Sequence, residues 1–176
     1  MVSRLLKDKG IIEFIEASKI LKEKYRQLSF TLIGSEDPFS PMRLTELDMQ
    51  NLKNSPIKYI PHVHNIHEQL SEYDVFILPS YHEGLSVSSM EAGACGLVLL
   101  LSDIPGCKEI IKEGYNGFTF KKQSSMDIVD SISSLIEGKK DIKEMSKNSR
   151  EYILGNFSYD ILQVQMKRIY SQHVEN

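Results

Sequence analysis

Two carboxylates bracket a turn near the middle of the chain. Seven residues separate Glu83 from Glu91, among them Gly84, Ser86 and Ser88. An apolar run typical of a buried strand precedes the turn, and a helix-forming segment follows it. In α/β proteins, strand, turn and helix in this order form anion sites, because the helix dipole and the unpaired N–H groups of its first turn point at the ligand. The two carboxylates are therefore a candidate binding site for a hydroxyl-rich ligand next to a phosphate.

Other interpretations of the two carboxylates remain open. Glu83 suits a solvated loop, and Glu91 suits the start of a helix. The pair also fits the acid and the nucleophile of a glycosidase, although the helix-start context favours ligand hydroxyls and phosphate. His82 is either an acid–base group or a wall residue. Because the segment has no G-x-S-x-G elbow, a serine hydrolase is not indicated.

Two cations lie close together near the amino terminus. Arg4 offers a planar, bidentate fork and Lys9 a compact point charge, and a diphosphate uses both kinds of donor. Such fixed cations stabilise the charge that builds on a leaving diphosphate during glycosyl transfer. Taken alone, the two are equally compatible with solvated charges in a polar segment, RLLKDKG.

The elements that must position these groups alternate between strand and helix. Apolar runs predict strands at 30–33, 57–60, 74–78, 97–101 and 117–120. Helical periodicity predicts helices at 10–26, 42–51, 66–73, 107–112, 125–137, 140–154 and 158–173. Ile20 is predicted to face inward in the helix at 10–26, and Gly155-Asn156 to stop the helix at 140–154.

This alternation predicts an α/β fold with a doubly wound, mostly parallel, Rossmann-like sheet and helices on both faces. We expect one domain over residues 1–176, with 156–176 as a closing C-terminal helix. Residues 1–4 look like the tail of a strand whose apolar beginning is missing, as though the chain were cut at a domain boundary. Ligands bind beyond the carboxyl ends of parallel strands. We call this edge of the sheet the rim, and we expect it to contain Arg4, Lys9 and the turn at 80–88.

Composition narrows the function classes. A net charge of -3 disfavours nucleic-acid binding, and no apolar run reaches the ~20 residues of a membrane span. The two cysteines, Cys95 and Cys107, and the histidines lack the spacing of a metal site. We therefore expect a cytoplasmic protein.

Several short strings recur in order along the chain: RLLKDKG, LIG at a strand end, HV, PSYHEGLSVSSMEAGACG, SDIPGCKEII and YNGF. Together they resemble the carboxyl-terminal, donor-binding domain of retaining glycosyltransferases with the GT-B architecture, glycosyltransferase family 4 (glycosyl transferases group 1). The resemblance runs from about Val2 to the final helix. One departure is Leu97 after the ACG string, where the family commonly has proline.

The resemblance implies roles for individual residues. Arg4 and Lys9 would bind the donor diphosphate, and Glu83 would hold hydroxyls of the donor sugar; these three form the predicted catalytic set. Glu91 would bind the ribose. The remaining predicted donor contacts are main chain near sugar and phosphate at Gly84, Leu85, Ser86 and Val87, and the nucleobase-proximal segment with His62 and Val63. Such enzymes generally need no metal or other cofactor.

The resemblance also implies an activity. The expected reaction moves a hexose from a nucleotide diphosphate sugar, in most such enzymes a UDP-sugar, to a saccharide or lipid-linked acceptor in surface polysaccharide synthesis. We expect this chain to lack the amino-terminal acceptor domain that the family has, and therefore to bind donor but to transfer little or nothing on its own. The resemblance is also compatible with peripheral association of a full-length enzyme with the inner face of the membrane. The alternative is a non-catalytic module of the same fold that binds a nucleotide sugar or a partner.

Overall fold

The computed structural model describes residues 1–138 and 141–174, within which five strands, eight α-helices and a 3-10 helix at Lys7–Lys9 form. The strands are β1 (Phe30–Ile33), β2 (Ile57–Ile60), β3 (Val75–Leu78), β4 (Val98–Ser102) and β5 (Gly117–Phe120). The α-helices are α1 (Ile11–Lys24), α2 (Glu46–Lys53), α3 (Ile66–Leu70), α4 (Val87–Ala94), α5 (Pro105–Lys108), α6 (Ser125–Ile136), α7 (Ile142–Phe157) and α8 (Tyr159–Val174). None of the described helices is long and apolar enough to cross a membrane.

Every pair of neighbouring strands is parallel. β1 pairs with β2, and β4 lies between β3 and β5. Val2 forms an isolated parallel bridge with Ile33, on the edge of β1 that faces away from β2. The predicted α/β fold with parallel strands and helices on both faces is confirmed. The backbone pairing divides the described strands into a two-stranded and a three-stranded sheet. The segment before β1 adds isolated parallel bridges from Val2 to Ile33 and from Leu5 to Glu36.

The core is centred on β4. All five of its residues are buried, and Leu99, Leu100 and Leu101 have no exposed surface. A strand that is apolar on both faces suits the middle of a parallel sheet, because helices cover both sides. Because β4 is packed on both faces and paired with β3 and β5, the carboxyl ends of these strands are held in place. These strand ends form part of the rim.

The helices pack in two groups. α1 packs against α6, and α4 packs against α7. The second contact is close: a Cβ added at Gly93 in α4 would lie 2.5 Å from Cγ1 of Ile153 in α7. The small residue therefore lets α7 approach α4, the helix that begins at the predicted turn.

Some predicted helix details were wrong. Ile20 is 38% exposed, and the buried positions beside it are Ala17 and Ser18. α7 continues through Gly155 and ends at Phe157, because a helix tolerates one exposed glycine at a cost of ~1 kcal/mol. α8 begins at Tyr159. Two predictions fall partly outside the described residues: the start at residue 140 of the helix at 140–154, and the last two residues of the closing segment 156–176.

Capping explains where two other helices begin. α2 starts later than predicted, at Glu46, because Thr45 forms a capping box with Asp48. α5 starts earlier than predicted and is shorter, with Pro105 in its first turn, where a missing N–H costs nothing.

Candidate functional site

The strand ends meet at a cleft of about 560 Å³, which we call the rim cleft. Nine of the ten predicted site residues line it: Arg4, Lys9, His62, Val63, Glu83, Leu85, Ser86, Val87 and Glu91. The tenth, Gly84, is exposed beside it and is not among the lining residues. Residues from four separate segments are thus brought together, as expected for the carboxyl edge of a parallel sheet.

Lys9 and Glu83 form an ion pair inside the rim cleft. The Lys9 Nζ donates a hydrogen bond to Oε1 of Glu83 at 2.7 Å, and the two side chains are 18% and 14% exposed. A charge-assisted bond of this length in a mostly desolvated place is stronger than an exposed pair. The pair fixes a cation and a carboxylate oxygen side by side, and it defines the chemical centre of the cleft.

Backbone contacts hold the Lys9 segment against the turn after β3. The Tyr81 N–H donates to the Asp8 carbonyl at 2.7 Å, and the Ser80 hydroxyl donates to the same oxygen at 3.1 Å. Gly10 has a φ of 73°, and a Cβ there would lie 2.0 Å from the Pro79 carbonyl oxygen. Gly10 therefore allows a left-handed backbone conformation, and it lets the backbone contact the Pro79 carbonyl, which any side chain would prevent.

A second contact joins the same two segments through side chains. The Tyr81 hydroxyl donates to Oε1 of Glu13 at 2.6 Å. Burial, followed by the Glu13 carboxylate, raises the pKa of Tyr81 above its usual value, so the phenol stays a donor. Oδ1 of Asp8 and Oε2 of Glu13 are buried without a hydrogen-bond partner in the described chain. Sequence reasoning missed this contact, because residues 68 positions apart carry no local signal of pairing.

The amino terminus of α4 forms another wall of the rim cleft. Ser86 caps the helix, and its Oγ accepts from the Ser89 N–H at 3.3 Å and from the Ser89 hydroxyl at 2.8 Å. The first helical turn contains no acidic residue, so the positive end of the helix dipole is not neutralised locally. Val87 and Ser88 in that turn line the rim cleft. This wall therefore favours an anion.

Arg4 lies at the mouth of the rim cleft. Its Nη1 donates to Oδ2 of Asp37 at 2.9 Å, and the two side chains are 62% and 27% exposed. An exposed pair of this kind is weak, so Arg4 can exchange Asp37 for an anionic ligand at little cost. Asp37 was not predicted; it belongs to the loop after β1, whose turn-forming residues gave no sign of this partner.

The remaining predicted residues lie on the rim in less restrained positions. His62 is exposed and Val63 half-buried, both after β2, and the His62 ring packs edge-on against His64 with centroids 5.2 Å apart. The half-buried Glu91 faces the cleft from α4. His82, the alternative acid–base group, is exposed and lies outside the lining of the cleft.

The turn at Gly84 is set by α5. A Cβ at Gly106 would lie 1.4 Å from the Gly84 carbonyl oxygen, so the two glycine backbones are in direct contact. Next to this contact, Cys107 is fully buried. Its burial, and to a smaller extent the charge of Glu83, raises the pKa of the thiol to about 12. Cys107 is therefore a neutral packing group and not a nucleophile at neutral pH.

Comparison with known proteins identifies the family of this chain. The sequence profile of the family described as "Glycosyl transferases group 1" matches residues 1–152. The chain belongs to this family. The resemblance predicted from the ordered strings is thereby confirmed.

Curated glycosyltransferases resemble the chain over its whole length. The N,N'-diacetylbacillosaminyl-diphospho-undecaprenol alpha-1,3-N-acetylgalactosaminyltransferase of Campylobacter jejuni is 32% identical over 176 residues, which are 100% of this chain and 45% of that protein. The UDP-Gal:alpha-D-GlcNAc-diphosphoundecaprenol alpha-1,3-galactosyltransferase of Escherichia coli is 28% identical over 178 residues, covering 100% of this chain and 46% of that protein. This glycosyl transferase group 1 chain spans about half the length of these relatives.

Solved structures share the fold. The C-terminal domain of the group 1 glycosyl transferase LpcC from Francisella tularensis superposes with a TM-score of 0.78 at 23% identity, covering 90% of this chain and 85% of that one. Anabaena Alr3699/HepE in complex with UDP gives a TM-score of 0.85 at 21% identity, covering 97% of this chain and 47% of that one. The group 1 chain thus has the fold of a GT-B C-terminal domain.

In this glycosyl transferase group 1 domain the rim cleft combines two cations, a helix amino terminus and two carboxylates. The cations and the helix end match an oxyanion-rich group such as a diphosphate. Carboxylate oxygens accept hydrogen bonds from hydroxyl groups. A ligand that carries both kinds of group along its length fits the arrangement.

Proposed function

We propose that this chain is the donor-binding domain of a retaining glycosyltransferase that takes a hexose from a nucleotide diphosphate sugar, with UDP as the nucleotide. The observation that carries the proposal is the Lys9–Glu83 pair at 2.7 Å, placed in one cleft with Arg4, Glu91 and the α4 amino terminus. The relatives' names support the donor and acceptor classes: the E. coli protein is a UDP-Gal transferase onto a lipid-linked diphosphate sugar.

The proposed reaction uses the charge distribution of the rim cleft. As the bond between the sugar carbon and the diphosphate oxygen breaks, negative charge grows on the diphosphate. Lys9, Arg4 and the α4 N–H groups stabilise that charge more in the transition state than in the ground state. Glu83, held by Lys9, accepts hydrogen bonds from sugar hydroxyls, and Glu91 accepts them from the ribose. The nucleobase lies beside His62 and Val63.

The cations supply the charge that a divalent metal provides in other phosphate sites, so we propose that the reaction is metal-independent. The acceptor, a saccharide or a lipid-linked sugar, is bound by parts of the enzyme outside these 176 residues. We therefore expect this chain alone to bind UDP-sugar and to transfer little or none of it, in polysaccharide assembly at the cytoplasmic face of a membrane.

Calorimetric titration of UDP, GDP and UDP-sugars tests the proposal. We expect binding of UDP that is unchanged by EDTA. Loss of one charge-assisted contact costs about 1.5–3 kcal/mol, so Lys9→Ala should weaken UDP binding by roughly 10- to 150-fold. Lys7→Ala is the matched control, because Lys7 pairs with Asp48 at 3.0 Å and does not line the rim cleft.

The variant Glu83→Gln distinguishes binding of the donor sugar from binding of the nucleotide. It should leave UDP affinity within about threefold, because the glutamine oxygen can still accept a hydrogen bond from Lys9. It should abolish any gain in affinity for UDP-sugar over UDP, because the sugar is the part of the donor that contacts Glu83 in the proposed complex. A folded chain that binds none of these nucleotides would refute the proposal. Robust transfer by the chain alone would refute the assignment of the acceptor site to another part of the enzyme.

A further inference from the structure

The acidic and basic side chains that line the rim cleft balance one another. Among the described residues, Arg4 and Lys9 bring positive charge to the lining, and Glu83 and Glu91 bring negative charge. A diphosphate therefore enters a cleft whose cations already have carboxylates nearby. For both cations to contact the diphosphate, at least one carboxylate must give up its cation.

The two cations are paired in unequal ways. The Lys9–Glu83 pair is mostly buried, and breaking it would leave a desolvated charge without a partner, which is costly. The Arg4–Asp37 pair is much more exposed, and an exposed pair contributes a factor of only about five or less to its own equilibrium. Arg4 is therefore the cation that an entering anion takes from a carboxylate.

Backbone hydrogen bonds hold the loop after β1 in place, and Asp37 belongs to this loop. On one side of Asp37, the Leu5 N–H donates to the Ser35 carbonyl at 3.0 Å. On the other side, the Lys7 N–H donates to the Met42 carbonyl at 2.8 Å. Neither bond involves a side chain, so both persist when the ion pair opens. Asp37 then stays beside its cation and re-forms the pair as soon as the cation is free.

We propose that Asp37 is a positioning residue that competes with the diphosphate for Arg4 and thereby favours release of UDP over release of the donor. The inference rests on the proposed function, because the diphosphate is the competing anion. No covalent bond changes in this exchange. The Arg4 guanidinium passes from the Asp37 carboxylate to a phosphate oxygen as the donor enters, and returns to the carboxylate as UDP leaves.

The competition acts more strongly on the product than on the donor. In a nucleotide sugar the terminal phosphate is esterified and carries one charge. In free UDP it carries nearly two at pH 7, because its second pKa is about 6. The fixed carboxylate of Asp37 repels the additional charge across the mouth of the cleft. Asp37 therefore weakens the binding of UDP more than the binding of the donor, which limits retention of the product.

The variant Asp37→Asn tests the proposal, because it removes the charge and keeps the shape of the side chain. Three probes are titrated calorimetrically into the wild-type and variant chains: UDP, the β-methyl ester of UDP, and inorganic pyrophosphate. The methyl ester has the charge of a nucleotide sugar, so the result does not depend on which sugar the enzyme uses. We expect UDP to bind about five- to tenfold more tightly to the variant, and the methyl ester only about two- to threefold more tightly.

The rate of UDP release gives a second readout. Stopped-flow displacement should show UDP leaving the Asp37→Asn variant about three- to fivefold more slowly than the wild type, because affinity differences between related complexes lie mostly in dissociation. Raising the salt concentration should reduce the difference between the two proteins, since salt screens charges at an exposed site. A purely structural effect of the substitution would change neither the salt dependence nor the ratio of the two affinities.

The matched control is Glu151→Gln. Glu151 forms an exposed pair with Lys147 at 3.7 Å on α7 and does not line the rim cleft, so this variant changes the net charge by the same amount as Asp37→Asn. It should leave the affinities for all three probes within about twofold of the wild type. Both variants should keep the thermal midpoint within ~2 °C, because exposed pairs contribute little to stability.

The three probes separate failure of this inference from failure of the proposed function. Unchanged UDP affinity in Asp37→Asn, or equal tightening of UDP and its methyl ester, would overturn the role of Asp37 and leave the nucleotide site intact. Pyrophosphate binding that tightens in Asp37→Asn, without any binding of UDP, would refute the proposed nucleotide and support the competition at Arg4. A folded wild-type chain that binds none of the probes would overturn both.

Discussion

The Lys9 ammonium group lies 2.7 Å from the Glu83 carboxylate, although the two residues are 74 positions apart in the chain. One belongs to the short 3-10 helix before α1 and the other to the turn after β3. Both side chains are largely buried, so each compensates the charge of the other. The pair is at once a link between two segments and the centre of the proposed donor site.

Removing Lys9 alone should destabilise the domain. Lys9→Ala leaves the Glu83 carboxylate desolvated without its partner, which costs about 1–3 kcal/mol of unfolding free energy. The double variant Lys9→Ala/Glu83→Gln should lose less than the sum of the single losses, by ~1 kcal/mol. Urea denaturation of the four proteins measures this coupling. Additive losses would show that the two side chains do not interact in solution.

The hydroxyl of Tyr81 should contribute to stability through Glu13. Tyr81→Phe removes the donor of the 2.6 Å bond and leaves a carboxylate that already has one buried oxygen without a partner. We expect a loss of ~1–3 kcal/mol in unfolding free energy, and a smaller loss when Glu13→Gln is added. Tyr159→Phe is the matched control, because Tyr159 is 76% exposed. Equal stability of Tyr81→Phe and the control would contradict the burial of this contact.

Two glycine-to-alanine substitutions should change stability in opposite directions. At Gly106 the new Cβ would meet the Gly84 carbonyl oxygen at 1.4 Å, so the turn beside Glu83 must move; we expect a loss of at least ~2 kcal/mol, with weaker UDP-sugar binding. Gly155 lies in α7 with nothing within 4 Å of the added Cβ. Gly155→Ala should therefore stabilise the protein by ~0.5–1 kcal/mol. Thermal unfolding measures both.

The buried amino group of Met1 should make stability depend on pH. Its pKa is 8.0 when exposed and about 5 in the folded chain. Between these values the unfolded chain binds a proton that the folded chain lacks, so stability rises with pH from 5 to 8 and then levels off. The slope from this group is at most ~1.4 kcal/mol per pH unit. Nα-acetylation of Met1 should remove this contribution to the slope. Urea denaturation at several pH values compares the two forms.

The alternation of apolar runs and turns was enough to predict the parallel α/β fold. β1, β2 and β5 have the predicted bounds, and β4 is shifted by one residue, because a fully buried strand shows as an uninterrupted apolar run. Helix ends were harder to predict. The start of α2 depends on a hydrogen bond between Thr45 and Asp48, and α7 passes through Gly155, since packing against α4 outweighs the low helix propensity of one glycine.

By itself, the sequence determined that Arg4, Lys9 and the turn at 80–88 meet at the rim, because the carboxyl ends of parallel strands lie at the same edge of a sheet. The resemblance of its ordered strings to the family added the other site residues, and nine of the ten predicted residues line one cleft. Only the tertiary structure decided how their charges are compensated. It paired Lys9 with Glu83 and Arg4 with Asp37, joined Tyr81 to Glu13, and left a groove between β1 and β3. Such contacts join residues far apart in the chain, and their distances depend on how closely the helices and sheets pack.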